Sequence, residues 1–248
     1  MIKISDTEYY SNDKTIRFLN MDCNEFMKKC NPAIFDLAVI DSPYGIGEDG
    51  SKNHTRSKIA TSKNYKAYQS TDNDSPTIET FNNIIYVSKN QIIWGANHFI
   101  SKIPYDSSCW LIWDKDNGET DFADCEMAWT SFKTAARKFK HKWQGMLQEN
   151  MKNKQQRIHP NEKPIELYKW IYDNYTKPND HILDCFGGSM SNAIACHMKR
   201  RKLTIIELDV DYFKSALNRF SEYEKKTEDI LEFGYAKTKI EKSNPVLF

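Results

Sequence analysis

Short apolar runs recur along the chain, each about four to six residues long and without strict alternation. They lie at 35–40 (FDLAVI), 91–94 (QIIW), 109–113 (CWLIW), 181–185 (HILDC) and 203–208 (LTIIEL). Runs of this kind predict strands covered on both faces, as in a parallel sheet flanked by helices. Residues 125–132 (CEMAWTSF) predict a further strand. Between the runs the spacing turns helical. Over 164–175, Ile165, Tyr168, Ile171, Tyr172 and Tyr175 fall on one face behind Pro164, a residue tolerated in a first helical turn. Over 210–223, Tyr212, Phe213, Ala216, Leu217 and Phe220 do the same behind Asp209, a good N-cap. Residues 190–199 fill the gap between two strands as a short helix. The stretch 181–220 is therefore strand, turn, helix, strand, helix, the core of a nucleotide-binding α/β fold.

Two segments break the pattern. Residues 48–78 are polar without apolar periodicity, and 133–161 mix aromatic and basic residues with no clear strand. Long loops in a compact domain usually carry function. The tail from 221 is charged, which predicts a surface helix or a partly disordered end.

The length of 248 residues suits one sizeable domain, and 40% hydrophobic with 28% charged residues excludes wholesale disorder. No apolar stretch approaches the roughly 18 residues of a membrane span, and the N-terminus lacks the apolar core of a signal peptide; both point to a cytoplasmic protein. Six cysteines without a CxxC pair predict reduced, buried thiols and no metal site. The net charge of +1 argues at first against a nucleic-acid partner. It is a cancellation. Lys52, Arg56, Lys58, Lys63 and Lys66 give 50–70 a charge of +5. Over 133–163 nine basic residues, among them Lys138, Lys140, Lys142 and Arg157, oppose two acidic ones for +7, with Phe139 and Trp143 interleaved. Basic loops with aromatics suit phosphate contact and packing into a groove or a vacated base site.

Three motifs carry chemistry. Asp41-Ser42-Pro43-Tyr44 follows a predicted strand directly, where ligands sit on a parallel sheet. A carboxylate there can accept a hydrogen bond from an amine, a proline-stiffened turn can offer a carbonyl to its second hydrogen, and a tyrosine can stack on a flat base. Asp184-Cys185-Phe186-Gly187-Gly188-Ser189 joins a strand end to a helix, and its glycines let backbone N–H groups approach a ligand. Glu207 ends the next strand, at the spacing of an acid that grips ribose hydroxyls. His159-Pro160-Asn161-Glu162-Lys163-Pro164 precedes a helix. Singly, these read equally as an Asx-type turn, a glycine turn and a proline-flanked helix start.

Together and in this order they resemble the DNA amino-methyltransferases of the β arrangement, in which an Asp/Ser/Asn-Pro-Pro-Tyr motif precedes the S-adenosylmethionine motif. Asn20-Met21-Asp22-Cys23 resembles that family's Gly-Asp-Cys element. Trp94-Gly95-Ala96-Asn97-His98-Phe99 and Trp113-Asp114-Lys115 through Ala128-Trp129-Thr130 resemble its phage-type adenine subgroup. The match covers roughly 16–220. Three positions depart from it: Ser42 stands where Pro is usual, Met190 replaces a glycine, and Asn20 often is Gly.

The resemblance implies a Rossmann-like S-adenosyl-L-methionine-dependent methyltransferase fold, α/β with a mostly parallel sheet and helices on both faces. It implies one catalytic domain over 1–220, with 48–78 and 133–161 as DNA-contacting insertions, and a tail over 221–248. It implies direct methyl transfer to a flipped-out base in double-stranded DNA. Asp41 would hold the target amine beside the cofactor, the Ser42 carbonyl would be the second acceptor, Pro43 would fix the turn and Tyr44 would stack on the base. Asp22 and Cys23 would flank the cofactor adenine, and Glu207 would hold the ribose. Asp184, Phe186, Gly188 and Ser189 would surround the methionine portion, and Lys163 would lie near its carboxylate. Lys52, Arg56, Lys58, Lys63, Lys138, Lys140, Lys142 and Arg157 would face DNA. An Asp at the first motif position is the usual N6-adenine form; N4-cytosine methylation and a DNA-binding pseudo-methyltransferase remain alternatives. A homodimer and a cognate restriction endonuclease are partners the resemblance leaves open.

Overall fold

The strand Phe35–Ile40 sends alternate side chains into two separate cores, Leu37 and Val39 to one side, Ala38 and Ile40 to the other. That is the period of two expressed on a sheet covered on both faces, and it explains why the run shows no polar alternation. The structure is a computed structural model. It describes residues 1–46, 74–118, 123–144, 147–152, 154–155 and 162–243, with the side chains of 144 and 230–243 excepted.

In chain order the strands are β1 Ile2–Lys3, β2 Glu8–Tyr10, β3 Ile16–Asn20, β4 Phe35–Ile40, β5 Ser88–Trp94, β6 Trp110–Asp114, β7 Cys125–Thr130, β8 Arg137–Lys140, β9 Trp143–Gln144, β10 Leu147–Gln148, β11 His181–Asp184 and β12 Lys202–Glu207. The α-helices are α1 Cys23–Met27, α2 Ile78–Val87, α3 Ile165–Tyr175, α4 Ser191–Lys199 and α5 Val210–Ser243. Ten strands form one sheet in the order β1-β2-β3-β12-β11-β4-β5-β7-β6-β8, and β9 and β10 make a small antiparallel pair. The middle of the sheet, β3-β12-β11-β4-β5, is parallel throughout. Residues of α3, α4 and α5 (Leu167, Tyr172, Ala193, Ile194, Phe213, Phe220) share one core, and Met27 of α1 with Phe81 and Ile84 of α2 share the other. The fold is the expected three-layer α/β arrangement with a mostly parallel sheet.

The predicted helices appear with small shifts. Pro164 sits at the N-cap of α3, and Asp209 Oδ1 accepts the N–H groups of Asp211 and Tyr212, both at 2.8 Å. α5 runs through residue 220 without a break; Phe220 is fully buried and Glu224 is nearly so. No helix among the described residues is long and apolar enough to cross a membrane. None of the six cysteines is disulfide-bonded, and Cys23, Cys109, Cys185 and Cys196 are buried.

One helix was not anticipated and one expectation needs correction. Residues 78–87 form the helix α2, capped by the Thr77 side chain on the Thr80 N–H at 3.2 Å, and only its first residue falls in the polar segment 48–78. Its buried face, Phe81, Ile84 and Val87, has helical spacing but only three large apolar members. Within 133–161, β8 and the β9–β10 pair replace the expected irregular chain. Phe139 and Trp143 are packing residues there, not groove-facing ones. Phe139 leans on His141 and Trp170, with ring centroids 5.7 and 5.4 Å away. Trp143 is buried and its indole N–H donates to the Glu162 carbonyl at 3.0 Å.

Candidate active site at the carboxyl ends of the sheet

β4 and β11 lie side by side at the centre of the sheet, and the chain leaves them in opposite directions: β4 leads through α2 to β5, β11 through α4 to β12. That reversal opens a crevice at the carboxyl ends, where doubly wound sheets bind ligands. Every described motif residue converges there. β3 ends before Asp22, β4 before Asp41, β5 before Gly95, β11 at Asp184 and β12 at Glu207.

A cleft on this edge is lined by Asp22, Cys23 and Asn24 from the β3–α1 turn, Pro43 after β4, Ser75–Thr77 before α2, and Phe186 and Leu208. Asp22 also caps α1, its Oδ1 accepting the Asn24 N–H at 2.6 Å. Asn20 donates its side-chain amide to the carbonyls of Glu207 and Leu208, clamping two strand ends together.

The turn after β11 is built from its own backbone. Asp184 is buried; its Oδ1 accepts the Phe186 N–H and its Oδ2 accepts the Asn192 amide. Burial pushes its carboxyl up to about 7 although both hydrogen bonds pull the other way. Glu207 accepts the Gly188 N–H at 2.7 Å and the Asp209 N–H at 2.9 Å; burial raises its carboxyl despite these bonds. Glu207 and the glycine turn are thus one hydrogen-bonded unit. Gly188 has φ +47°, but the following left-handed residue is Met190, at φ +56° and fully buried. A left-handed conformation costs a residue with a Cβ about 1–2 kcal/mol. Burying a methionine side chain returns about 1.5–3 kcal/mol, and a glycine would also carry extra chain entropy. Packing wins, so Met190→Gly is expected to lower stability by about 1 kcal/mol or more in urea denaturation. A stabilised variant would show that backbone strain dominates.

The Asp41–Tyr44 turn has denser electrostatics. Lys163 Nζ lies 2.5 Å from Asp41 Oδ1, 3.0 Å from Glu126 Oε2 and 2.8 Å from the Tyr44 hydroxyl. The ammonium is only 4% exposed. Lys163 was expected beside a cofactor carboxylate; this structure gives it to the protein's own acids, because a buried ammonium needs counter-charge at contact distance. Glu126 also binds Lys115 at 2.6 Å. Burial works against ionising Glu126, but the two lysines outweigh it and hold the carboxyl at about 2. For Asp41 burial wins, with the Glu126 charge adding to it, so its carboxyl is raised even though Lys163 opposes the shift. Burial disfavours the Lys163 ammonium, yet Asp41 and Glu126 together raise its pKa. Burial and the same two carboxylates hold the Tyr44 phenol well above its ordinary range.

The Tyr44 ring stacks on His98, centroids 5.3 Å apart and planes at 19°. It is seated by Gly95, at φ +70°, where an added Cβ would come within 2.1 Å of the ring. Among the described residues the buried Ser42 Oγ and Trp94 Nε1 have no hydrogen-bond partner, and both belong to this site.

Sequence reasoning missed Glu126 and Arg219. Glu126 stood in an apolar strand run, and a charge there is a sign of a partnered or functional acid. Arg219 pairs with the buried Glu162 at 2.8 Å and donates to the Ser189 carbonyl at 2.7 Å, tying the glycine turn to the residue before Lys163. Of the proposed DNA contacts, Lys138, Lys140 and Lys142 are exposed on or after the edge strand β8 and pair with Asp114 and Asp116. Such surface pairs are worth little and yield readily to phosphate. Lys52, Arg56, Lys58, Lys63, Arg157 and His159 lie outside the described residues.

The model of the DNA methylase family, N6/N4 methyltransferase type, matches residues 52–218, well over half of the chain. The chain belongs to this family. The DNA methylase match begins beyond Asp41, so the role of the Asp-Ser-Pro-Tyr turn rests on its geometry. The Type II methyltransferase M2.MboI of Moraxella bovis is 23% identical over 250 residues, covering 86% of this chain and 90% of that protein. Among solved structures, PvuII DNA methyltransferase (cytosine-N4-specific) aligns with a TM-score of 0.54 at 11% identity, covering 88% of this methylase and 93% of the other. TTHA0409 of Thermus thermophilus, complexed with S-adenosyl-L-methionine, aligns with a TM-score of 0.51 at 17% identity, covering 83% and 94%. At these identities the structural likeness establishes the shared fold.

Proposed function

We propose that this DNA methylase transfers the methyl group of S-adenosyl-L-methionine to the exocyclic N6 amine of adenine in double-stranded DNA. The observation that carries this reading is the adjacency of two strand ends. Asp41-Ser42-Pro43-Tyr44 follows β4, the glycine turn follows β11, and Pro43 is a wall of the cleft beside that turn.

The cleft suits the cofactor. Pro43, Phe186 and Leu208 offer apolar surface to a flat base, and the Asp22 carboxylate stands at its rim. The Glu207 carboxylate matches a vicinal diol, and it holds the Gly188 N–H of the Asp184–Ser189 turn. Bound there, the cofactor supplies an electrophilic methyl on a sulfonium. The protein's part is position and charge. Asp41 accepts one hydrogen of the target amine, and the Ser42 carbonyl accepts the other. Pro43 keeps that turn rigid. The Tyr44–His98 stack supplies the aromatic surface for a base taken out of the duplex, since its amine is otherwise engaged in a base pair. A single catalytic domain carries all of this, with 48–78 and 133–161 as DNA-contacting segments.

Adenine is preferred to cytosine because the motif opens with Asp. Mass spectrometry of nucleosides from DNA incubated with the protein and methyl-labelled cofactor tests the assignment. N6-methyladenine is the expected product; N4-methylcytosine would overturn the base, and unlabelled nucleosides would overturn the activity. For DNA contact, Lys138→Ala combined with Lys140→Ala should weaken binding and flatten the salt slope by about 2, near one unit per phosphate lost. An unchanged slope would remove β8 from the interface.

A further inference from the structure

Resting on the amine-methylating reading, we propose that Glu126 is a positioning residue, the alternative acceptor that takes Lys163 and the Tyr44 hydroxyl when Asp41 engages the target amine. Both donors converge on the same two oxygens. Lys163 Nζ is 2.5 Å from Asp41 Oδ1 and 3.0 Å from Glu126 Oε2. The Tyr44 oxygen is 3.2 Å from the first and 3.1 Å from the second, so its one proton serves either acid. The Lys163 side chain is 4% exposed, so an ammonium released by Asp41 needs another counter-charge within the site.

This sharing answers a problem in the chemistry. An amine that attacks a sulfonium methyl gains positive charge, which a carboxylate stabilises and an ammonium opposes. With Lys163 bound to it alone, Asp41 would present a neutralised pair to the amine. Glu126 removes that conflict by drawing the ammonium toward itself. Its placement fits the task. It sits near the start of β7, where its backbone pairs with Trp113 of β6. Lys115 binds the far oxygen, Oε1, at 2.6 Å and leaves Oε2 turned to Lys163 and Tyr44. The charged and titratable groups bearing on Asp41 are Tyr44 on its own turn, Glu126 on β7, Lys163 before α3, Tyr168 on α3 and Asp184 on β11.

The test compares the full-length wild type with Glu126→Gln, which keeps shape and removes charge. The single-turnover rate of methyl transfer to DNA should fall about tenfold or more, an ordinary loss for a group that orders a reacting centre. Cofactor affinity by equilibrium titration should change by less than about threefold, since Glu126 does not line the cleft. Adding Lys163→Gln to this variant should recover part of the rate, because the trapped ammonium is gone. Without cofactor or DNA, carbon NMR of the Asp41 carboxyl should show it titrating at lower pH in Glu126→Gln, as the repelling charge is lost. A wild-type rate, a double variant no faster than the single one, or an unmoved Asp41 titration would each overturn the proposal. If the wild type methylates no DNA, the functional reading fails, and the Asp41 titration still decides whether the two acids share Lys163. Should Glu126→Gln not fold, Glu126→Asp, which keeps the charge but withdraws the oxygen by one methylene, carries the rate and cofactor-affinity comparisons: a slower transfer at unchanged affinity is expected, and a wild-type rate overturns the proposal.

Discussion

Asp41→Ala is expected to abolish methyl transfer, by at least about 10²–10³-fold, while cofactor binding stays largely intact. The two effects separate because of where the side chain lies. Asp41 was expected to serve both the amine and the cofactor; Pro43, two residues on, is a wall of the cleft. The carboxylate turns toward Lys163 and Tyr44. Removing it also leaves no stranded charge, since Glu126 remains 3.0 Å from the ammonium. The variant should therefore fold and bind cofactor. Transfer of labelled methyl to DNA and calorimetric titration with the cofactor read the two quantities; unchanged turnover would sink the assignment of Asp41.

Lys163→Met should have the largest effect on stability, about 3–5 kcal/mol at neutral pH, the usual cost of stripping one partner from a buried ionic cluster. Lys163 is the ammonium that Asp41 and Glu126 share, and Lys115 reaches only Glu126. In the wild type the raised Lys163 pKa means its contribution is fully present below pH 10.5 and is lost above it. Glu126 is lowered from 4.5 to about 2, so its contribution is present above pH 4.5 and is lost as pH falls toward 2. In the variant both carboxyls lose a favourable charge and bind protons more readily. The stability deficit should then shrink as pH falls below about 5, where protonation removes the buried repulsion. Urea denaturation at a series of pH values measures it, and a deficit constant from neutral to acid pH would rule out the ionic origin.

Local sequence was enough to place four of the five parallel strands, β4, β5, β11 and β12, but not β3. FDLAVI could only be a doubly covered strand, the 164–175 and 210–220 patterns could only bury one helical face, and Asp209 caps its helix as its chemistry predicts. The motifs fell at strand ends because each follows its strand directly in the chain. The short edge strands β1 and β2 stayed hidden because two or three residues show no period, and β8 because its exposed side chains are mostly basic.

The polar heart of the site was hidden for a different reason. Lys163 and Asp41 are 122 residues apart, and Tyr44 and Glu126 are 82 apart. Hydrophobic periodicity reports which face of an element is buried, not which distant charge will meet it there. The sequence by itself determined the α/β layers, most of the parallel strands and the strand ends at which two of the motifs lie. Which carboxylates share Lys163, and that Trp143 and Phe139 serve packing, only the tertiary structure decided, because burial makes each of those groups depend on partners that no local pattern encodes.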